Sequence, residues 1–261
     1  MELDIGVPDY ADISVEALFS RADDLSLDFV EFVLEAPDLY PPDDDVRATL
    51  RDRPADLDLV FHLPFGGIDI GSPCADVRAG AISELKRGID LTAAMDAEKC
   101  VIHADTFVIP AVWDRQPIIG NLHESIAELT SYGEHQDVTV AVENVPGPFV
   151  TIEEFPRLFE TTDAAMTLDT GHARVSGLSD TEIATFVDHH ADRISHFHLN
   201  DTRGASDDHL PVGMGDTDFA TIFDALPASW SGTATVEAIS TDFTYVETGV
   251  ECLRNELSGL S

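Results

Sequence analysis

The feature that most constrains the fold of this chain is a regular alternation of short apolar segments with longer amphipathic stretches. Eight apolar segments of strand length recur, and a stretch with helical periodicity follows each of them. Nearly continuous apolar strands are typical of a parallel sheet that is buried on both faces. The predicted strands cover residues 3–7, 28–33, 57–63, 99–103, 139–143, 165–169, 194–199 and 233–239.

Several of the intervening stretches begin with helix-start signals. In a capping box, a hydroxyl and a carboxylate three residues apart satisfy free backbone N–H groups. This spacing occurs in the pairs Thr151 with Glu154, Ser179 with Glu182, and Thr244 with Glu247. The predicted helices cover residues 14–24, 43–53, 75–96, 117–135, 152–161, 180–190, 218–226 and 245–257.

Eight strand–helix units in a chain of 261 residues are the number expected for one (β/α)8 TIM barrel. We therefore predict an α/β protein with a single barrel domain over residues 1–261. The alternative is a doubly wound open sheet. The turn after the first strand, residues 6–9, lacks the GxGxxG fingerprint of that fold, so the barrel is favoured.

The charge balance limits the classes of partner. Fifty acidic residues oppose 14 basic ones, so the net charge is −36, and the acids are spread over the whole chain. This distribution disfavours an acidic partner-binding tail, and the scarcity of Lys and Arg disfavours nucleic-acid binding. Molar salt reduces the Debye length to about 3 Å and screens such self-repulsion. We therefore expect a halophilic protein from a salt-rich cytoplasm.

Other sequence features agree with a cytoplasmic location. No apolar segment reaches the roughly 18 residues that a membrane-spanning helix needs. The first residues, Met1 to Asp4, do not resemble a secretory leader. Cys74, Cys100 and Cys252 are far apart and form no CxxC pair, which argues against disulfides and against a thiolate zinc site.

Metal-binding side chains lie at the carboxyl ends of six consecutive predicted strands. In a TIM barrel these ends form the catalytic face. A cluster of carboxylates and imidazoles there is costly unless a cation lies among them, and this mixed ligand set favours zinc, manganese, cobalt or iron(II) over calcium. The side chains are His62, His103, Glu143, Asp169, His198 and Glu237.

Four further polar residues accompany these strand ends. His172 follows Asp169 in a DxxH pattern, which alone is a weak signal. His196 shares the parity of His198 but lies one layer deeper, which predicts a buried hydrogen-bonding role. Glu31 and Glu35 lie near the end of the second strand, where either could contact a substrate.

Several short segments, in this order, resemble the xylose-isomerase-like TIM-barrel superfamily, which includes sugar isomerases and epimerases and the endonuclease IV group. The resemblance covers about residues 57–240 and supports the barrel fold. The segments are His62-Leu-Pro-Phe65, Val101-Ile-His103, Val142-Glu143-Asn144, Leu168-Asp-Thr-Gly-His172, His196-Phe-His-Leu-Asn-Asp201, Asp207-Asp-His-Leu-Pro-Val-Gly-Met-Gly215 with Asp218-Phe219, and Glu237.

Resemblance to the isomerases and epimerases implies one divalent metal ion that stabilises the enediolate of an open-chain sugar or sugar phosphate. Glu143 and Glu237 would then move the proton as base and acid. His172, Arg203 and His62 would contact substrate oxygens. The metal would be manganese, zinc or cobalt, held at Glu143, Asp169, His198 and Glu237.

Resemblance to the endonuclease IV group implies a different chemistry. There, three zinc ions promote attack on the phosphate beside an abasic site that is flipped out of the duplex. The corresponding ligands are all of the required type: His62, His103, Glu143, Asp169, His172, His198, Asp207, His209 and Glu237.

The loop sequences favour the sugar chemistry. The loops after the second and third strands contain no basic residue, and Arg115, Arg174 and Arg203 are the plausible cations near the catalytic face. A duplex normally requires many Lys and Arg contacts. A non-catalytic metal- or sugar-binding barrel is a third hypothesis, but two opposed glutamates are not needed for binding alone. A homo-oligomer would agree with the isomerases, among which dimers and tetramers are common.

Overall fold

In the computed structural model, residues 1–10, 13–35 and 42–259 are described. The strands form a closed parallel barrel in which each strand neighbours the next along the chain, β1 to β8. This arrangement confirms the predicted (β/α)8 fold, and the open sheet is wrong. The strands are β1 (Glu2–Pro8), β2 (Phe29–Val33), β3 (Asp58–His62), β4 (Lys99–His103), β5 (Thr139–Glu143), β6 (Ala165–Asp169), β7 (Ile194–Leu199) and β8 (Ser231–Val236).

Helices alternate with these strands. One short helix, α6, follows β6 directly and was not predicted as a separate element. None of the helices in the described ranges is long and apolar enough to cross a membrane. The helices are α1 (Val15–Asp24), α2 (Asp44–Arg51), α3 (Ala75–Ala94), α4 (Arg115–Glu134), α5 (Phe155–Thr161), α6 (Thr170–Val175), α7 (Asp180–His190), α8 (Phe219–Asp224) and α9 (Phe243–Leu257), with a 3-10 helix at Ile152–Glu154.

The chain divides into two compact units. The first unit comprises Met1–Glu31, Arg53–Asp58 and Thr167–Ser261. In it, β8 pairs in parallel with both β1 and β7, and the register sets His198 opposite Thr235. Parallel pairing with alternating side chains places these two residues at one level of the sheet. Phe197 packs against Phe223 on the other face of β7.

The second unit comprises Phe32–Asp52 and Leu59–Met166. Here β4 pairs with both β3 and β5, and the register sets His103 opposite Glu143 at the ends of their strands. Val140 and Val142 are buried on the alternate positions of β5. Strand geometry places these two valines on the face opposite that of Ala141 and Glu143, which are buried as well.

Only one of the three predicted capping boxes forms among the described residues. Ser179 accepts from the backbone N–H of Glu182, and the Glu182 carboxylate accepts from the backbone N–H of Ser179. Thr151 makes no side-chain cap hydrogen bond, and the N–H of Glu154 bonds to its backbone carbonyl in a 3-10 turn. At α9 the predicted cap is wrong, since Asp242 occupies the cap position and Thr244 lies inside the helix.

We expect Ser179→Ala to reduce the free energy of unfolding by about 1 kcal/mol, since it leaves a backbone N–H of α7 without its cap. Thr151→Ala removes the same type of group where no cap exists, so it should change stability by less than about 0.5 kcal/mol. Urea unfolding in molar KCl measures both. Equal losses in the two variants would contradict the assignment of the capping box.

Candidate active site

Three side chains of the first unit form a buried group at the ends of β6, β7 and β8. Asp169 and His198 end or nearly end their strands, and Glu237 directly follows β8. One ligand atom from each lies within 4.8 Å of the others. The Nδ1 atom of His198 is 3.4 Å from Oε2 of Glu237. The structure thus brings these three of the predicted site residues together.

Asp169 is held by two hydrogen bonds that use both its oxygens. Its Oδ1 accepts from the backbone N–H of His172 at 2.6 Å, and its Oδ2 accepts from the side-chain amide of Asn200 at 2.7 Å. The first bond makes Asp169 the N-cap of α6. Gly171 is required there, because a Cβ at this position would lie 1.7 Å from Oδ1 of Asn200. The segment Asp169-Thr-Gly-His172 therefore fixes the position of the Asp169 carboxylate.

Glu237 uses its two oxygens differently. The hydroxyl of Tyr10 donates to Oε1 at 3.0 Å. The other oxygen, Oε2, is 3.4 Å from Nδ1 of His198 and 3.4 Å from Nδ1 of His209. Oε2 of Glu237 and Nδ1 of His209 are buried and accept or donate no hydrogen bond within the described part of the chain. Two buried polar atoms that face each other in this way are costly unless something lies between them.

The loop after β7 adds a second group of potential ligands. Asp207 lies 3.2 Å from Nε2 of His172 and 3.1 Å from Nε2 of His209. Burial opposes ionisation of Asp207, but hydrogen bonds from both imidazoles hold its pKa below the usual range. Burial alone would lower the pKa of His209, yet Asp207 and the charges of Glu237 and Asp169 raise it to about 9. These groups form one ionic network.

The second unit contains a group around Glu143. Oε2 of Glu143 is 3.2 Å from Nε2 of His62 and 3.2 Å from Nε2 of His103. The Nδ1 atom of His62 is 3.0 Å from the carbonyl of Leu63, and since a carbonyl can only accept, this nitrogen donates. Contact between Nε2 of His62 and Oε2 of Glu143 then requires a second proton on the ring or a cation between the two atoms. Phe65 stacks on His103 at 4.5 Å.

The carboxylates and imidazoles of the groups described above fit a divalent cation. Imidazole nitrogens and carboxylate oxygens are ligands of zinc, manganese, cobalt and iron(II). Two ligands at about 2.1 Å from a tetrahedral ion lie roughly 3.4 Å apart. The 3.4 Å separations of Oε2 of Glu237 from His198 and His209 have this value.

Glu31 is a buried member of the first unit whose contacts were not predicted. It lies in β2 and is only 1% exposed. Its oxygens contact Nε2 of His198 at 3.1 Å and Nε2 of His196 at 3.3 Å. Burial would raise the pKa of Glu31, but charge and hydrogen bonds from the two histidines hold it well below the usual range. The sequence signal was a single acid inside the apolar strand Phe-Val-Glu-Phe-Val.

The other residues predicted to contact substrate are placed as follows. Glu35 accepts from the backbone N–H groups of Phe65 and Gly66, each at 2.5 Å, and so anchors the loop after β3. His172 is 5% exposed. Arg203 is exposed and donates to the carbonyl of Met214 at 3.2 Å.

Two of the three arginines considered for phosphate contacts are paired with acids of their own unit. Arg174 donates to Asp180 at 2.9 Å, and Arg115 donates to Glu154 at 2.9 Å. Such pairs reduce the positive charge available to a polyanion. Arg203 makes its recorded hydrogen bond to a backbone carbonyl.

Comparison with known proteins supports the barrel fold and shows the family. Residues 19–256 match the model of a family described as "Xylose isomerase-like TIM barrel". An uncharacterised protein of Methanocaldococcus jannaschii is 26% identical over 186 residues, which cover 68% of this chain and 62% of that protein. A second one is 25% identical over 63% of this chain and 64% of its own length. The chain therefore spans less than two thirds of the length of these relatives.

Solved structures resemble the chain over nearly its whole length. A "D-tagatose 3-epimerase-like protein" is 22% identical, with a TM-score of 0.84, and the match covers 98% of both chains. An L-ribulose 3-epimerase is 21% identical, with a TM-score of 0.73, and the match covers 99% of this chain and 86% of that one. At these identities the likeness establishes the fold alone.

We expect Gly171→Ala to displace Asn200 and to leave Oδ2 of Asp169 without its donor. The predicted loss is about 1–3 kcal/mol of stability, together with a 10- to 100-fold weaker affinity for Mn²⁺. Gly120→Ala is the matched control, since a Cβ in this part of α4 meets nothing within 4 Å. It should stabilise by up to about 1 kcal/mol. Urea unfolding and calorimetric titration test both variants, and an unchanged Gly171→Ala protein would contradict the role of Asn200.

Proposed function

Since the chain belongs to the xylose isomerase-like TIM barrel family, we propose that it is a divalent-metal-dependent isomerase or epimerase of a small sugar or sugar phosphate. The observation that carries the proposal is the buried group of Asp169, His198 and Glu237, whose ligand atoms lie within 4.8 Å of one another. The names of the structural neighbours, a D-tagatose 3-epimerase-like protein and an L-ribulose 3-epimerase, support a sugar as substrate.

The proposed metal ligands are Asp169, His198 and Glu237, with Glu143 assigned as the fourth from its position at the end of β5. A divalent cation such as manganese, cobalt or zinc would polarise the hydroxyl and carbonyl oxygens of an open-chain ketose and so acidify the adjacent C–H. One ion per chain is sufficient for this chemistry.

Glu237 and Glu143 are proposed to move the proton. One carboxylate removes it from carbon, and the other returns a proton to the opposite face or to the neighbouring carbon. The Tyr10 hydroxyl donates to Oε1 of Glu237 and fixes the rotation of that carboxylate. His172 and His62 are proposed to contact sugar oxygens, and the exposed guanidinium of Arg203 suits a terminal hydroxyl, carboxylate or phosphate.

Solvent-derived deuterium tests this chemistry directly. In D2O containing molar KCl and Mn²⁺, we expect the protein to incorporate deuterium at the reacting carbon of D-tagatose, L-ribulose or one of their phosphates, as measured by NMR. Glu143→Gln and Glu237→Gln should each reduce kcat by about 10²- to 10⁴-fold, because each removes a proton carrier.

Glu182→Gln is the matched control, since Glu182 caps α7 and is placed outside the proposed site. It should retain the wild-type rate. Incorporation that persists at full rate in either site variant would reject the assignment of the two glutamates. No incorporation into any ketose tested would reject the isomerase itself.

An endonuclease IV-like phosphodiesterase is the second candidate function. The observation that favours it is the additional His172–Asp207–His209 group, together with His62 and His103 around Glu143, which supply ligands for further ions. The pairing of Arg115 and Arg174 with acids of their own units disfavours a duplex substrate.

Metal content distinguishes the two candidates. We expect mass spectrometry of protein purified without chelators or a His-tag to find about one ion per chain, and His62→Ala to retain it. About three zinc ions per chain, lost in part on His62→Ala, together with cleavage of an abasic-site oligonucleotide, would establish the nuclease instead. A bound metal without turnover of either substrate class would indicate a non-catalytic binding barrel.

A further inference from the structure

Asp201 is a buried acid at the start of the loop that joins β7 to α8, and the proposed reaction does not use it. This β7 loop comprises residues 200–218 of the first unit and carries Arg203, Asp207 and His209. Asp201 is only 1% exposed. A carboxylate at such depth is costly unless its oxygens accept hydrogen bonds. The hydrogen bonds of Asp201 therefore show which part of the molecule it stabilises.

The Asp201 carboxylate accepts four backbone N–H groups from the two ends of the β7 loop. Its Oδ1 accepts from Thr202 at 2.9 Å and from Thr217 at 3.1 Å. Its Oδ2 accepts from Gly213 at 3.1 Å and from Gly215 at 2.7 Å. Four donors match the capacity of a carboxylate, which has about two acceptor sites on each oxygen. The side chain thus joins the beginning of the loop to its end.

The backbone of Asp201 closes the same loop a second time. Its N–H donates to the carbonyl of Leu210 at 2.8 Å, and its carbonyl accepts from the N–H of Leu210 at 2.9 Å. Leu210 directly follows His209. The carbonyl of His209 accepts at 3.2 Å from the N–H of Ile239, two residues beyond Glu237. The backbone at His209 is therefore fixed between the start of its own loop and the segment that follows β8.

His209 has a backbone conformation that requires such support. Its φ of 43° lies in the left-handed region, which residues other than glycine rarely occupy. Such a residue persists where the surrounding contacts determine its conformation. In this conformation Nδ1 of His209 lies 3.4 Å from Oε2 of Glu237, and Nε2 lies 3.1 Å from Oδ1 of Asp207. The ring also lies edge-on to His172, with 5.6 Å between the ring centroids.

Gly215 shows how closely the end of the loop fits the carboxylate. A Cβ at this position would overlap Oδ1 of Asp201 and the carbonyl oxygen of Thr202. Glycine therefore allows the N–H of residue 215 to approach Oδ2 of Asp201. A substitution at Gly215 would disturb the same contact from the side of the loop.

We propose that Asp201 is a positioning residue, which holds the β7 loop in one conformation and so places the imidazole of His209 against the Glu237 carboxylate before substrate binds. Because Glu237 is a proposed proton carrier, the inference deepens the proposed function and rests on it. Asp169, His198 and Glu237 lie at or directly beside strand ends, outside this loop. Displacement of the loop should therefore impair proton transfer more than metal binding.

Hydrogen exchange of the metal-free protein in molar KCl tests the conformation of the loop. Peptides that cover residues 211–217 contain three of the four N–H groups that Asp201 binds, so they should exchange more slowly than an unstructured peptide of the same sequence. In Asp201→Asn the amide can accept from only one pair of donors, so we expect exchange to be at least about tenfold faster.

Asp218→Asn is the matched control for Asp201→Asn. It makes the same change of charge at an exposed acid that accepts the backbone N–H of Thr221 in α8. It should leave the exchange of residues 211–217 unchanged. Unprotected exchange of these residues in the wild type, or equal exchange in the two variants, would overturn the proposal.

The ring signals of His209 report its position in the metal-free protein. The neighbouring His172 ring shifts these signals, because the two rings lie edge-on at 5.6 Å. At one fixed pH, we expect Asp201→Asn to move the His209 signals toward those of a solvent-exposed histidine and Asp218→Asn to leave them in place. His209→Gln assigns the signals. Unchanged His209 signals in Asp201→Asn would overturn the proposal.

Deuterium incorporation measures the consequence for catalysis. We expect Asp201→Asn to reduce kcat by about 10- to 100-fold while the affinity for Mn²⁺ stays within about threefold of the wild type. Gly215→Ala should have the same effects, and the double variant should be no slower than the slower single variant, because both changes break one contact. An unchanged kcat, multiplied losses in the double variant, or a tenfold loss of Mn²⁺ affinity would each reject the proposal.

The outcomes also separate this inference from the proposed function. If Asp201→Asn does not fold, Gly215→Ala and the exchange of the wild-type loop provide the decision. If no ketose incorporates deuterium, although the loop is protected and Asp201→Asn displaces His209, the proposed function is rejected and the placement of His209 stands. If a ketose reacts at full rate in Asp201→Asn, the isomerase stands and the role of Asp201 is rejected.

Discussion

The site depends on how the negative charge of its buried carboxylates is balanced. Glu31, Asp169 and Glu237 are at most 4% exposed, and within the described ranges the ion pairs of Glu31 and Glu237 are with histidines. An arginine would neutralise a carboxylate, but its fixed positive charge would repel a cation bound beside it. An imidazole can donate from one nitrogen and bind from the other. Because of this property, His198 can contact Glu31 through one ring nitrogen and Glu237 through the other. One imidazole thereby serves two buried carboxylates of the same unit.

The barrel supplies the geometry that this compensation requires. Parallel pairing of β7 with β8 sets His198 opposite Thr235, and pairing of β4 with β5 sets His103 opposite Glu143. A register slip of one residue would turn these side chains to the helical face, where apolar residues belong. Burial of the apolar side chains at alternate positions therefore also fixes the polar side chains between them. The same strand register serves stability and the proposed function.

The fold and the convergence of three strand-end side chains could be predicted because both follow from local pattern. Four strands, β4 to β7, have the predicted bounds, and Asp169, His198 and Glu237 converge as their positions at strand ends require. The contact of Tyr10 with Glu237 joins residues 227 positions apart, and no periodicity encodes it. The N-cap of α9 was predicted at the wrong residue because Asp242 and Thr244 are both good cap residues, and only the backbone geometry decides between them.

The acidity of this chain has two parts that respond differently to salt. The net charge of −36 arises mainly from exposed acids, whose repulsion a Debye length of about 3 Å at molar salt removes. Glu31 and Glu237 interact with their histidines at 3.1 to 3.4 Å inside the protein, where mobile ions do not enter. Salt therefore acts on the repulsion between the exposed acids and much less on the buried contacts between carboxylates and histidines. Screening therefore distinguishes the exposed acids from the buried carboxylates of the site.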